Sequence, residues 1–154
     1  MGYLKASDTL FGQEGRAYAT IDGQVEEMFY IKRLTASVEK NKVKMATLGR
    51  RALQHKAAGY EGKGEMTIYY VTSLFRQIMC DYMKRGRDLY FDIQVTNEDP
   101  TSAAGRQTVV LKNVNLDSVV MAALDVEAEA LEEDVSFTFD DVEILQSFTA
   151  PELG

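Results

Sequence analysis

A single cysteine, Cys80, and a single histidine, His55, set the first limits on this chain. One cysteine excludes an internal disulfide framework and a multi-cysteine zinc site. A Cys–His nucleophile pair would need the fold to bring a basic, glycine-marked loop onto a helix, and no third group or local signature supports one. Cys80 reads more simply as a small half-buried residue on a helix flank, and His55 as a solvent-facing one. Only two prolines occur in 154 residues, and no repeat, low-complexity run or linker divides the sequence. Glu132, Glu133, Asp134, Asp140 and Asp141 form an acidic stretch without the Asp/Asn/Gly spacing of a calcium loop. Gly62 and Gly64 give only a GxG, without the strand and helix of a phosphate loop. No cofactor or metal is expected. No segment reaches the ~20 apolar residues of a membrane span, and MGYLKASDTLFG lacks the apolar stretch of a signal peptide. The expectation is a protein made and folded in the cytoplasm, without a membrane partner.

What the chain does contain is enough apolar material, 45% of residues, for one self-sufficient core at this length. Its charge is unevenly spread. Residues 1–77 carry 12 basic and 8 acidic side chains, whereas residues 78–154 carry 5 and 16. Between Lys32 and Lys56 eight bases meet one acid, and between Asp117 and Glu143 ten acids meet no base. A net charge of -7 argues against nonspecific duplex binding, which depends on Lys and Arg neutralising phosphates. The two segments either pair within one chain or join different patches of two copies. The second arrangement is heterologous, and its repetition gives rings or filaments.

Strand patterns dominate. Asp22-Gly23 suits a two-residue hairpin turn between RAYATI and a long strand QVEEMFYIKRLTASVEK. NKVKMATLGRRALQHKAAGYEGKG, residues 41–64, is basic and glycine-marked and reads as an extended arm or loop, with the arm itself at about residues 38–58. MTIYYV resumes strand character. One helix is predicted from Ser73 to Arg85, with Leu74, Phe75, Ile78, Met79, Tyr82 and Met83 on one apolar stripe. Phe75, Ile78, Met79 and Tyr82 are expected to bury it against a sheet. Thr72 or Ser73 caps its start and Gly86 stops it. Tyr90 to Thr96 alternates, NEDPTSAAGR reads as an exposed loop, and QTVVLKNVNL, SVVMAAL, DVEAEAL and EDVSFTFDDVEIL read as strands. Val135, Phe137 and Phe139 share one face. The fold class expected is mainly β, a sandwich or barrel with one packed helix. It forms a single domain over residues 1–154, with a flexible tail at about 147–154.

Several motifs, in order and at consistent spacing, carry a family likeness. They are GQEG (Gly12 to Gly15), SVEKNK (Ser37 to Lys42), LGRR (Leu48 to Arg51) and His55-Lys56. YYVTS (Tyr69 to Ser73), DYMKRG (Asp81 to Gly86) and LDVEAEALEEDVSFTFDD (Leu124 to Asp141) follow. The chain resembles the tail tube proteins of PBSX-type defective prophages, contractile-tailed phages and phage-tail-like bacteriocins. That resemblance implies hexameric rings stacked into a hollow cylinder, assembled in the host bacterial cytoplasm and then part of the tail. It implies as partners the chain itself, the tail sheath, the tape-measure protein, and baseplate and terminator proteins, with DNA only as transiting cargo in a true phage. A type VI-like secretion tube shares the fold, and a small-ligand-binding β-barrel is the alternative from another class. The arm reading and the charge pattern place the subunit interface at Lys40, Asn41, Lys42, Arg50, Arg51, His55 and Lys56 on one side. Glu132, Glu133 and Asp134 stand on the other.

Overall fold

The computed structural model describes residues 2–8, 10, 15–100 and 102–150. Gly12, Gln13 and Glu14 of the GQEG motif, and residues 151–154 of the tail, lie outside the described residues. Eight strands and one helix follow in order: β1 (Gly15–Ile21), β2 (Gln24–Glu27), β3 (Ile31–Met45), β4 (Gln54–Tyr69), α1 (Leu74–Arg85), β5 (Phe91–Glu98), β6 (Arg106–Ser118), β7 (Glu132–Phe139) and β8 (Asp141–Gln146). The strands pair antiparallel in the order β2-β1-β5-β6-β7-β4-β3, with β8 also on β6.

This sheet folds over on itself because β6 serves both halves. Its residues Thr108 to Lys112 pair with β8, and Asn115 to Ser118 pair with β7. The change of partner falls at Asn113, whose φ of 57° lies in the left-handed region that asparagine tolerates. Its side-chain amide donates to Asp140 Oδ1 at 2.8 Å, fixing the second crossing, where β7 ends and β8 begins. Between the halves lies the core: Ala17, Ala19, Phe91, Ile93 and Leu111 from one side, and Met66, Ile68, Val135, Phe137 and Phe139 from the other. The predicted face of Val135, Phe137 and Phe139 is therefore the inward one. The described strands do not close into a barrel, since β2 and β3 end the path unpaired on their outer sides.

The hairpin at Asp22-Gly23 forms as read, with both residues at positive φ (51° and 81°). The long second strand does not. It breaks at Met28–Tyr30, where Ile31 N–H donates to the Met28 carbonyl and the chain passes from one half of the sheet to the other. Met28 and Tyr30 plug that corner, 2% and 3% exposed, while Phe29 between them stays in solvent. EDVSFTFDDVEIL is likewise two strands that leave each other at Asp140. SVVMAAL and DVEAEAL form no strand: residues 119–131 are irregular. In the NEDPTSAAGR loop, Asn97 and Glu98 belong to β5 and Asp99 is buried.

Gly62 and Gly64, too sparse for a phosphate loop, have a packing role. They face Phe139 and Phe137 across the β4–β7 pairing, and a Cβ would fall 2.5 Å and 2.3 Å from those residues. The rings lie over bare backbone. Gly64→Ala must displace Phe137 in a filled core, so a loss of about 1–3 kcal/mol is expected by urea denaturation. An unchanged midpoint would mean the ring moves freely.

The helix begins at Leu74, whose N–H donates to Thr72 Oγ1 at 3.2 Å, so of the two candidate caps Thr72 acts and Ser73 does not. Gly86, at φ 68°, ends it with its N–H on the Tyr82 carbonyl and the next N–H on Asp81. The apolar stripe is narrower than predicted. Only Phe75 is fully buried, edge-on to Tyr30 at 6.4 Å between ring centres. Leu74 and Ile78 pack partly, and Tyr82 and Met83 are 53% and 64% exposed. The helix covers one opening of the folded sheet, so its last turn overhangs. Ile78→Ala is accordingly expected to cost only about 1–2 kcal/mol, below the range for a fully buried site. A loss of the full-burial size in thermal melts would contradict this packing.

Candidate subunit interface

The arm read from the sequence is a regular ribbon. Strands β3 and β4 stay paired from Ile31 with Ile68 to Met45 with Gln54, and residues 46–53 form the tip. The β4–β7 pairing stops at Gly62 opposite Phe139, so Gln54 to Glu61 have β3 as their only strand neighbour. At about 3.3 Å per residue this overhang projects about 25 Å from the folded sheet. Its base is fixed where the Tyr60 hydroxyl donates to the Asp140 carbonyl at 2.6 Å. Every residue from Glu39 to Glu61 is exposed, including the apolar Val43, Met45, Leu48 and Leu53.

From Lys40 to Lys56 the ribbon carries six basic side chains and no acid. Among the described residues none of the six joins an ion pair. Lysines and arginines elsewhere do: Lys32 with Glu132 at 2.7 Å, Arg76 with Glu133 at 2.6 Å, Arg106 with Glu98 at 2.7 Å, and Lys112 with Glu143 at 3.0 Å. Arg16, Arg33 and Lys84 outside the arm also join no ion pair among the described residues, but the arm gathers six unpaired bases without an acid.

Of the acidic candidates, Glu132 is paired with Lys32, and Asp134 Oδ1 accepts a hydrogen bond from the Thr67 hydroxyl at 2.7 Å. Glu133, read as part of a solvated or interface-facing strand, is instead buried at 3% exposure, because β7 alternation turns it to the same side as Val135. Its Oε2 binds Arg76 at 2.6 Å, while Oε1 has no partner. Burial pushes this carboxyl above the ordinary glutamate range, and Arg76 only partly offsets it. Arg76 also donates to the Val120 and Thr72 carbonyls and stacks 4.3 Å over the Tyr70 ring. It thereby joins α1, β7 and the start of the 119–131 segment, a role no sequence signal announced. The core's other polar atom without a partner among the described residues is the Tyr30 hydroxyl, pushed up to about 12 by burial and then by the Glu26 carboxylate.

Nothing in the chain brings Lys40, Asn41, Lys42, Arg50, Arg51, His55 or Lys56 to its own acidic cluster. Glu132 to Asp134 lie opposite Tyr69 to Thr67, at the end of β4 away from the arm. From Lys56 to Tyr69 along β4 is about 40 Å at 3.3 Å per residue. The arm's bases and the Glu132–Asp134 acids thus lie toward opposite ends of β4. Next to Glu132, the 119–131 segment exposes Asp125, Glu127 and Glu129 in alternation with apolar residues, of which Leu124 and Val126 are 91% and 93% exposed.

The surface is also large. The chain exposes 10987 Å² where a compact monomer of 17.3 kDa exposes about 7,800 Å². Among the described residues no group of three or more His, Cys, Asp or Glu is placed to hold a metal. A surface concavity of about 590 Å³ is lined by Arg16, Tyr18, Gln94 and Thr96 and by the Arg106–Glu98 pair, which neutralise one another.

An open folded sheet with an overhanging charged ribbon at one end and acids at the other defines a structural subunit that assembles with copies of itself. Residues 2–146 match the family described as phage tail tube protein, and the chain belongs to that family. It is 48% identical over 141 residues to two Bacillus subtilis (strain 168) proteins, phage-like element PBSX protein XkdM and the uncharacterized protein YqbM. Those matches cover 92% of this chain and 93% of each relative. A solved Bacillus subtilis protein shares 39% identity at TM-score 0.52, covering 88% of this chain and 99% of its own. The fold extends to proteins of 9% and 11% identity. The tube-terminating cap of the anti-feeding prophage superposes at TM-score 0.69 over 94% of this chain and 95% of its own. The SPP1 tail tube does so at 0.62 over 88% and 78%. The chain is a tail tube subunit of a phage-like particle, as the motif resemblance implied.

Proposed function

We propose that this subunit builds the tube head to tail, in hexameric rings stacked around a central channel, with the arm of each ring reaching the acidic end of the next. The observation that carries this reading is the separation of the two charged regions by the length of β4. They have no route to each other within one chain, and the arm keeps its charge unpaired. A heterologous contact of this kind repeats without limit unless a terminator covers the last copy. The exposed edges of β2, β3 and β8 need covering as well, and side-by-side subunits in a ring give each edge a strand neighbour.

In this reading the role is structural, and the partners are those the family resemblance implies: sheath outside, tape-measure protein inside, baseplate and terminator at the ends, and DNA only as cargo passing through. Solved structures of similar fold come from a sheath–tube complex and an anti-feeding prophage baseplate. Purified subunit concentrated at low salt is expected to sediment as long polymers showing sixfold rings end-on in negative stain. Added salt should lower the polymer yield, since exposed charge pairs are screened over ~8–10 Å at ordinary ionic strength. Polymers indifferent to salt would refute the electrostatic stacking contact.

A further inference from the structure

The 119–131 segment has the sequence of a strand and forms none. From Leu124 to Ala130 apolar and acidic residues alternate: Leu124, Val126, Ala128 and Ala130 on one side, and Asp125, Glu127 and Glu129 on the other. All seven are exposed. The arm offers the matching half. Among the described residues β3 pairs only with β4 and its outer edge has no strand on it, and from Lys40 to Met45 it too alternates, with Lys40, Lys42 and Lys44 on one face and Asn41, Val43 and Met45 on the other. The irregularity in the β3–β4 ribbon lies in β4 near Gly59 (φ 119°), where three β4 steps match two of β3, and leaves the β3 alternation intact.

We propose that residues 124–130 of one subunit add as an antiparallel strand to the free β3 edge of the next subunit's arm, Lys42 opposite Glu127. This rests on the head-to-tail stacking proposed above and names the residues that make it. One register satisfies both faces. With Lys42 opposite Glu127, Lys40 meets Glu129 and Lys44 meets Asp125 on the charged face. On the other, Val43 meets Val126, Met45 meets Leu124 and Asn41 meets Ala128. A parallel strand centred on the same pair would put Met45 against Ala130 and leave Leu124 beyond the match. A slip of one residue would set Asp125 against Val43 in one direction, and Glu127 against Val43 with Asp125 against Met45 in the other. Strand addition supplies main-chain hydrogen bonds for affinity, and the alternating side chains supply register. The segment cannot reach its own arm. It is tied at Glu132, and five extended residues back to Glu127 span about 17 Å, against about 40 Å along β4.

The test is a disulfide formed between copies in a Cys80→Ser background. Lys42→Cys and Glu127→Cys subunits, made separately, are mixed, assembled and oxidised. A directly opposed antiparallel pair has Cα atoms about 4.5–5.5 Å apart, within disulfide reach. Linked dimers are expected from this mixture, but not from Lys42→Cys with Asp125→Cys, nor from unassembled subunits. As a second readout, Lys42→Glu with Lys44→Glu should lose assembly. Combining them in one chain with Asp125→Lys and Glu127→Lys should restore it. Tubes that form without the Lys42→Cys/Glu127→Cys link, or a charge exchange that restores nothing, overturn the strand pairing while stacking itself stands. A link formed inside monomers carrying both cysteines overturns it in favour of docking on the same chain. Failure of the unaltered protein to form tubes overturns the stacking, and the pairing with it.

Discussion

Arg76→Ala is expected to destabilise the unassembled subunit by about 3–5 kcal/mol, because it strands the buried Glu133 carboxylate without its cation. For a chain of this size that lowers the melting temperature by on the order of 10 °C. The effect carries a pH signature. Burial raises the Glu133 pKa in the folded state, and Arg76 opposes the rise. Above the unfolded glutamate value of about 4.3, the folded chain therefore holds this proton more tightly than the unfolded chain does. The contribution of the group to stability falls as pH rises from there through its folded pKa. Removing Arg76 deletes the opposing influence, so the variant should lose more stability than the parent over that interval and regain part of it on acidification. Glu133→Gln in the Arg76→Ala chain should flatten this excess pH dependence. Urea titrations of dilute subunit from pH 4 to pH 8 read all three. A loss below 1 kcal/mol at neutral pH would show that water reaches the carboxylate.

The second large effect concerns assembly. Arg50→Glu with Arg51→Glu should abolish tube formation and leave the subunit folded. Both residues sit near the ribbon tip, exposed and in no ion pair among the described residues. Exposed charges contribute only ~0–1 kcal/mol each to the stability of the subunit. At the stacking contact each reversal brings like charge toward the acidic end of the next ring, a penalty of several kcal/mol repeated at every copy. Sedimentation and negative-stain imaging should find a monomeric protein with the parental melting temperature. Tubes of normal length would remove charge pairing from the account.

Local chemistry made much of this structure legible. Asp22-Gly23 marked a turn because few other pairs accept positive φ twice, and Gly86 marked the helix end for the same reason. Alternation at Val135, Phe137 and Phe139 marked the core face, and six bases without an acid marked the arm. What stayed hidden depends on contacts distant in sequence. Met28 and Tyr30 continue the alternation of β2 into β3, so the corner between sheet halves looks like unbroken strand. Glu133 looks like one of three surface acids until the helix brings Arg76 over it. The alternation of DVEAEAL, residues 125–131, predicts a strand, and the pattern is there, but the described chain leaves that segment irregular. The strand pairing proposed above adds Lys44, Asp125, Glu127 and Glu129 to the interface residues expected from the sequence.

In the proposed tube each subunit's arm is held by the acidic end of the subunit in the next ring. Cryo-electron microscopy of tubes grown from the unaltered protein, with side chains resolved, tests it most directly. The account predicts sixfold rings in which the Lys40–Lys56 ribbon crosses the ring boundary and its β3 edge lies against residues 124–130 of the neighbour. An arm folded back along its own ring, with Asp125, Glu127 and Glu129 facing solvent or the channel, would contradict it.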